Sequence, residues 1–158
     1  MRKAFVLVAA LVAGVLGAGL VSAVAATGIV EEETIVLGEH TLNGKILDLA
    51  GAPDDFRPGD RYIFRSELTD AEGAAGHLWV DCSVHFAKND ICTQVYRVTG
   101  RGAVVVTGLV PASELHVDGT WTLAITGGTG QFDNVRGSVT VVVLDEEGNS
   151  EHTLNLLP

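Results

Sequence analysis

From Glu33 onward, apolar and polar positions exchange places every second residue over short runs rich in Val, Ile, Thr and aromatics. Each run is cut by Gly, Asp, Asn or Pro, and no stretch carries a helical period. The pattern predicts strands over Glu33–Leu37, Gly44–Leu49, Arg61–Thr69, His77–Phe86, Ile91–Thr99, Ala103–Leu109, Thr120–Thr126, Gly137–Leu144 and His152–Leu156. Turn-forming segments such as Arg57-Pro58-Gly59-Asp60, Ala71-Glu72-Gly73 and Val117-Asp118-Gly119 separate them. Strands at this spacing with hairpin-length connections predict an all-β closed barrel or sandwich.

Faces are clearest on the fourth run. Leu78, Val80, Cys82, Val84 and Phe86 share one side and His77, Trp79, Asp81, Ser83 and His85 the other, so the Leu78 side is expected inside. A turn near Ala87 or Lys88 brings Cys82 and Cys92, the two cysteines of the chain, roughly opposite each other. Their pairing would carry Gln94, Tyr96 and Val98 inward on the next strand. Polar Gln94 and the Tyr96 hydroxyl then need partners or a ligand.

The first residues change the compartment. Arg2-Lys3, an apolar run from Ala4 and the small residues Ser22-Ala23-Val24-Ala25-Ala26 follow the layout of a secretory signal peptide. A membrane anchor is the alternative, but Gly14, Gly17 and Gly19 and the acidic Glu31-Glu32-Glu33 weigh against it. The expected division is a signal peptide over 1–26 and one barrel domain over 27–158, secreted or at least extracytoplasmic. In that oxidising setting an isolated cysteine pair is expected as a Cys82–Cys92 disulfide.

Charge narrows the partners. Loss of Arg2 and Lys3 takes the net charge from −10 to about −12, which disfavours nucleic acid and, after signal removal, membrane surfaces. No metal site is expected: His77, Asp81 and His85 follow one another at intervals of roughly 13–14 Å on one strand face, too far for one ion. The run Ile125-Thr126-Gly127-Gly128-Thr129-Gly130 lacks a third fingerprint glycine, the phosphate-loop lysine and a following helix. Its glycines read as a tight inter-strand connection needing positive φ. Neither a hydrolase nor a nucleotide-dependent enzyme is supported, and no cofactor is expected.

The run Trp121–Gly137, with Gly127, Gly128, Gly130, Phe132, Arg136 and Gly137 as its structural turn motif, resembles the signature of allene oxide cyclases and dirigent proteins. Gly59-Asp60, Phe64, Leu68, Gly73, Gly76, Cys82 and Val104–Gly108 occur in the order of the same family. The resemblance spans about Gly59 to Leu144, most of the domain. It implies an eight-stranded antiparallel, calycin-like barrel with an apolar cavity, and a homotrimer as in the plant relatives. By this resemblance Cys82 falls where plant cyclases have a pocket cysteine and Ser66 where they have a pocket asparagine. Glu33 and Glu39 are both candidates for their first-strand glutamate.

Alternation from Ser66 turns Tyr62, Phe64, Ser66 and Leu68 inward. Tyr62, Phe64, Ser66, Leu78, Val80, Gln94 and Tyr96 are therefore the expected ligand-binding interior, with no catalytic residue named. The resulting expectation is a barrel that binds a small hydrophobic or phenolic molecule and guides its cyclisation or coupling, an intramolecular lyase or isomerase if catalytic. The alternative is a non-catalytic envelope module with a filled interior. Arg65 and Glu67 alternate outward, so no ionisable side chain is expected inside.

Overall fold

In the computed structural model, which describes residues 32–47, 57–85 and 89–157, each strand pairs with the next in chain order and the last returns to the first. The strands are β1 (Glu33–Leu47), β2 (Arg61–Asp70), β3 (Gly73–Val84), β4 (Asn89–Val98), β5 (Gly102–Pro111), β6 (Thr120–Gly130), β7 (Arg136–Val143) and β8 (Ser150–Leu157). All ladders are antiparallel. The sheet is a closed eight-stranded barrel. The expected signal peptide, Phe86 and the segment 48–56 lie outside the described residues.

Two expected runs, Glu33–Leu37 and Gly44–Leu49, are one continuous strand as far as Leu47. A bulge allows it: β2 pairs with Thr41 through Ser66 and with Asn43 through Arg65, leaving Leu42 as the extra residue. Such an insertion bends the strand and preserves the ladder on both sides, so a long strand can serve both neighbours. The β1 N-terminal half pairs with β8 and its C-terminal half with β2 alone.

Period-two alternation fills the interior. Leu37, Leu68, Leu78, Val104, Val106, Leu123, Val139 and Leu154 are fully buried or nearly so. At one end Phe132 and Val135 of the β6–β7 turn are buried with this core.

The glycine motif meets the expected positive φ at Gly130, at +67°, but not at Gly127 or Gly128, and its place differs. Gly127, Gly128 and Gly130 are ladder residues of β6, opposite Val105, Val104 and Gly102 of β5, and the turn itself is 131–134. At Gly128 the constraint is space rather than φ: a Cβ would lie 2.3 Å from the Phe132 carbonyl oxygen and 2.8 Å from that of Ala103. Gly137, by contrast, has φ +130° and its Cβ would lie 1.9 Å from the Asn155 carbonyl oxygen. Arg136 donates to the Val135 carbonyl at 3.0 Å, tying the end of the same turn.

Cys82 and Cys92 face each other across β3 and β4 and form a disulfide with a Cα–Cα distance of 4.1 Å. The loop they close is short, so replacing both with serine is expected to cost about 2–3 kcal/mol, measured by urea unfolding. An unchanged midpoint would contradict this.

Candidate functional site

Adjacent strands place the interior residues in rungs. Tyr62, Cys82 and Cys92 form the first, Phe64, Val80 and Gln94 the second, and Ser66, Leu78 and Tyr96 the third. The first two rungs line a cavity of about 630 Å³, open at one end of the barrel. Val110, Trp121 and Val143 complete its apolar wall, and Leu115, His116, Val117, Asp145, Glu146 and Gly148 belong to its lining from the β5–β6 and β7–β8 connections. Of the seven expected ligand residues, Tyr62, Phe64, Val80 and Gln94 thus border open space. Ser66, Leu78 and Tyr96 also point inward, but each is 0% exposed and belongs to the packed layer one rung further in.

The expectation of an interior without ionisable groups is overturned. Glu39 of β1 and His152 of β8 are buried inside and both line the cavity. Glu39 follows Leu37 on the inward face of β1 and sits opposite Ser150. His152 shares the inward side of β8 with Ser150, Leu154 and Leu156. The candidate pair for a first-strand glutamate separates cleanly: Glu33 is outside, bound by the Arg101 guanidinium at 2.7 and 2.8 Å.

One network joins the polar groups. Ser66 Oγ donates to Glu39 Oε1 at 2.5 Å and Ser150 Oγ donates to Oε2 at 2.5 Å. His152 Nε2 lies 2.7 Å from the same Oε2. On its other side, Nδ1 is 2.6 Å from the Tyr96 hydroxyl, which donates to Gln94 Oε1 at 2.6 Å. The arrangement is a buried carboxylate clamped by two hydroxyls, with His152 bridging it to the Tyr96 hydroxyl. It is not a nucleophile relay, because Ser150 and Glu39 face the same ring nitrogen.

Burial pushes the Glu39 carboxyl up, but the His152 hydrogen bond and charge and the Ser150 and Ser66 hydroxyls outweigh it and hold it below its usual 4.5. Glu39 therefore stays ionised near neutrality and is a weak base, better suited to hold charge than to take a proton. A folded-state value below the unfolded one stabilises the fold fully above about 4.5, and that contribution is lost as pH falls through the lower folded value. Acid unfolding curves should accordingly show a steeper loss of stability below pH 4.5 in the wild type than in Glu39→Gln; superimposable pH dependence would contradict the assignment.

Nearer the mouth, the Tyr62 hydroxyl donates to Asp90 Oδ2 at 2.9 Å. Burial, the Asp90 charge and this hydrogen bond raise the phenol well above its ordinary value, so it remains neutral. The rings of Tyr62 and Phe64 lie parallel, 6.4 Å apart. The Trp121 indole nitrogen is buried without a hydrogen-bond partner, a cost of about 1–3 kcal/mol. Among the described residues lining the cavity there is no Lys or Arg, and no group of His, Cys, Asp and Glu could hold a metal ion.

Neither a family model nor a curated relative matches the sequence. Solved structures do. A pyocyanin demethylase superposes with a TM-score of 0.64 at 24% identity, over 79% of this chain and 100% of that one. The exo-specific intermolecular Diels-Alderase AbnU gives 0.65 at 12%, over 80% and 98%. The pterocarpan synthase dirigent protein GePTS1 gives 0.60 at 14%, over 80% and 86%. At these identities the likeness is one of fold: the chain has the barrel shared by a dirigent protein and cyclase-type enzymes.

Proposed function

We propose that the mature protein binds a small hydrophobic or phenolic molecule in the barrel cavity and holds it in one shape, guiding a cyclisation or coupling. The observation that carries this reading is the open space itself. About 630 Å³ bounded by Tyr62, Phe64, Val80, Val110 and Trp121 falls in the range of small-molecule sites, and a filled module would have closed it. The polar network gives that space one oriented side, with Gln94, Glu39, Ser150 and His152 reaching the lining. A ligand held between an apolar wall and fixed dipoles loses conformers, which is the entropic part of catalysis by shape. Neighbours of the same fold include two enzymes and a dirigent protein, which is compatible with chemistry by positioning.

The reading includes export, with residues 1–26 removed, and a homotrimer. Intact mass of protein recovered outside the cytoplasm and sedimentation of it would test both; a retained leader or a monomer would remove those parts.

Phe64→Ala discriminates the ligand cavity from a filled core. Phe64 is only partly buried and borders the cavity, so its truncation should cost about 1–2 kcal/mol, below the roughly 3–5 kcal/mol of a sealed core phenylalanine. Affinity for the best member of a panel of phenols and fatty acids should fall at least about fivefold, from one lost apolar contact. Full core-type destabilisation together with no binding across the panel would favour the filled module.

A further inference from the structure

The charge of the cavity decides which ligands it admits, a point that rests on the ligand-cavity reading above. Its outer half carries Asp145 and Glu146 on the lining and Asp90 directly behind the Tyr62 hydroxyl. Deeper in, the Glu39 carboxylate is already bound by Ser66, Ser150 and His152. The excess negative charge therefore belongs to the mouth. No Lys or Arg among the described lining residues offsets it, and the whole chain carries −10. His116, the other ionisable base at the mouth, is held by the Val117 carbonyl at 2.7 Å.

Aromatic rings point independently to the same ligand. Tyr62, Phe64 and Trp121 all border the cavity, and the electron-rich faces of such rings attract organic cations. Tyr62 also stays neutral, so it offers a ring face and no acid. We infer that the cavity selects a flat or compact organic cation, with its apolar body between these rings and its positive charge toward Asp145 and Glu146, and that it rejects carboxylates. Fatty-acid anions would meet carboxylates at the entrance and find no guanidinium or ammonium partner there. A cation in the same place exchanges its hydration for ring faces and nearby carboxylates in a region of reduced dielectric.

Three probes of one shape and different charge test this: N-methylacridinium, neutral acridine and acridine-9-carboxylate, titrated calorimetrically at about pH 8, where carboxylates are ionised. The cation should bind about tenfold tighter than acridine, and the carboxylate at least about tenfold more weakly than acridine. Glu146→Gln, a change at an exposed residue, should weaken the cation about threefold and leave acridine unchanged, because only the charged probe senses the lost carboxylate. Val80→Trp, which fills the second rung, should abolish binding of both.

Acridine binding as tightly as the cation would overturn the charge selection and leave the ligand cavity standing. If none of the three binds, or if the cation binds undiminished to Val80→Trp, both readings fall. The comparison of probes on the wild-type protein keeps the test decisive should Val80→Trp not fold.

Discussion

Glu39→Leu is expected to destabilise the barrel by about 3–5 kcal/mol, because it leaves the buried His152 ring without the carboxylate it bonds. His152 and Glu39 have side chains 1% and 6% exposed, so water can replace little of what is lost. Ser66 and Ser150 also lose their acceptor. The double variant Glu39→Leu/His152→Leu should be less damaged than the sum of its two single variants, since neither member of the pair is left buried without the other. A coupling of at least about 1 kcal/mol is expected from residues in one network, read from urea unfolding of the four proteins. Strict additivity would mean that the pair is not the unit described.

Gly137→Val is expected to cost at least about 3 kcal/mol, combining a strained backbone with a steric collision. Its φ of +130° is poorly accessible to a branched residue, and the added Cβ would lie 1.9 Å from the Asn155 carbonyl oxygen on β8. Relief requires β7 and β8 to part where Gly137 pairs with Leu156, and a closed barrel has no edge at which to absorb the shift. Gly127→Ala supplies the contrast. That position has no positive φ and nothing within 4 Å of its Cβ, so the change should stay within about 0.5 kcal/mol. Equal losses at the two glycines would refute the steric account.

Strand identity was legible wherever side chains alternate strongly, as on β3, because burial on one face imposes period two. The disulfide was legible for the same reason, since two cysteines on one face of a hairpin have one geometry open to them. The middle of β1 was not. Gly38, Glu39 and Asn43 are of types depleted in strands, yet here Glu39 and Thr41 continue the inward face because they serve a polar interior. The bulge at Leu42 then shifts the alternation by one residue, which no periodicity could register. His152 had a readable signal in the alternation Ser150, His152, Leu154, Leu156, but an ionisable residue at the head of a strand reads as solvent-facing unless its partner on another strand is known. Ser66, Leu78 and Tyr96 show the remaining limit. Alternation states which side chains point inward, while the boundary between cavity and packed core depends on where all eight strands bring their bulk.

The chain has two tryptophans, and they report on opposite sides of the barrel wall. Trp121 lines the cavity, whereas Trp79 lies on the outer face beneath the Arg65 guanidinium. Titration of the protein with acridine, followed through the two indole N–H resonances in a proton–nitrogen correlation spectrum, therefore tests the central claim directly. A ligand in the barrel should shift the Trp121 resonance saturably and leave that of Trp79 in place. Movement of Trp79 alone, or of neither, would contradict a ligand-binding interior.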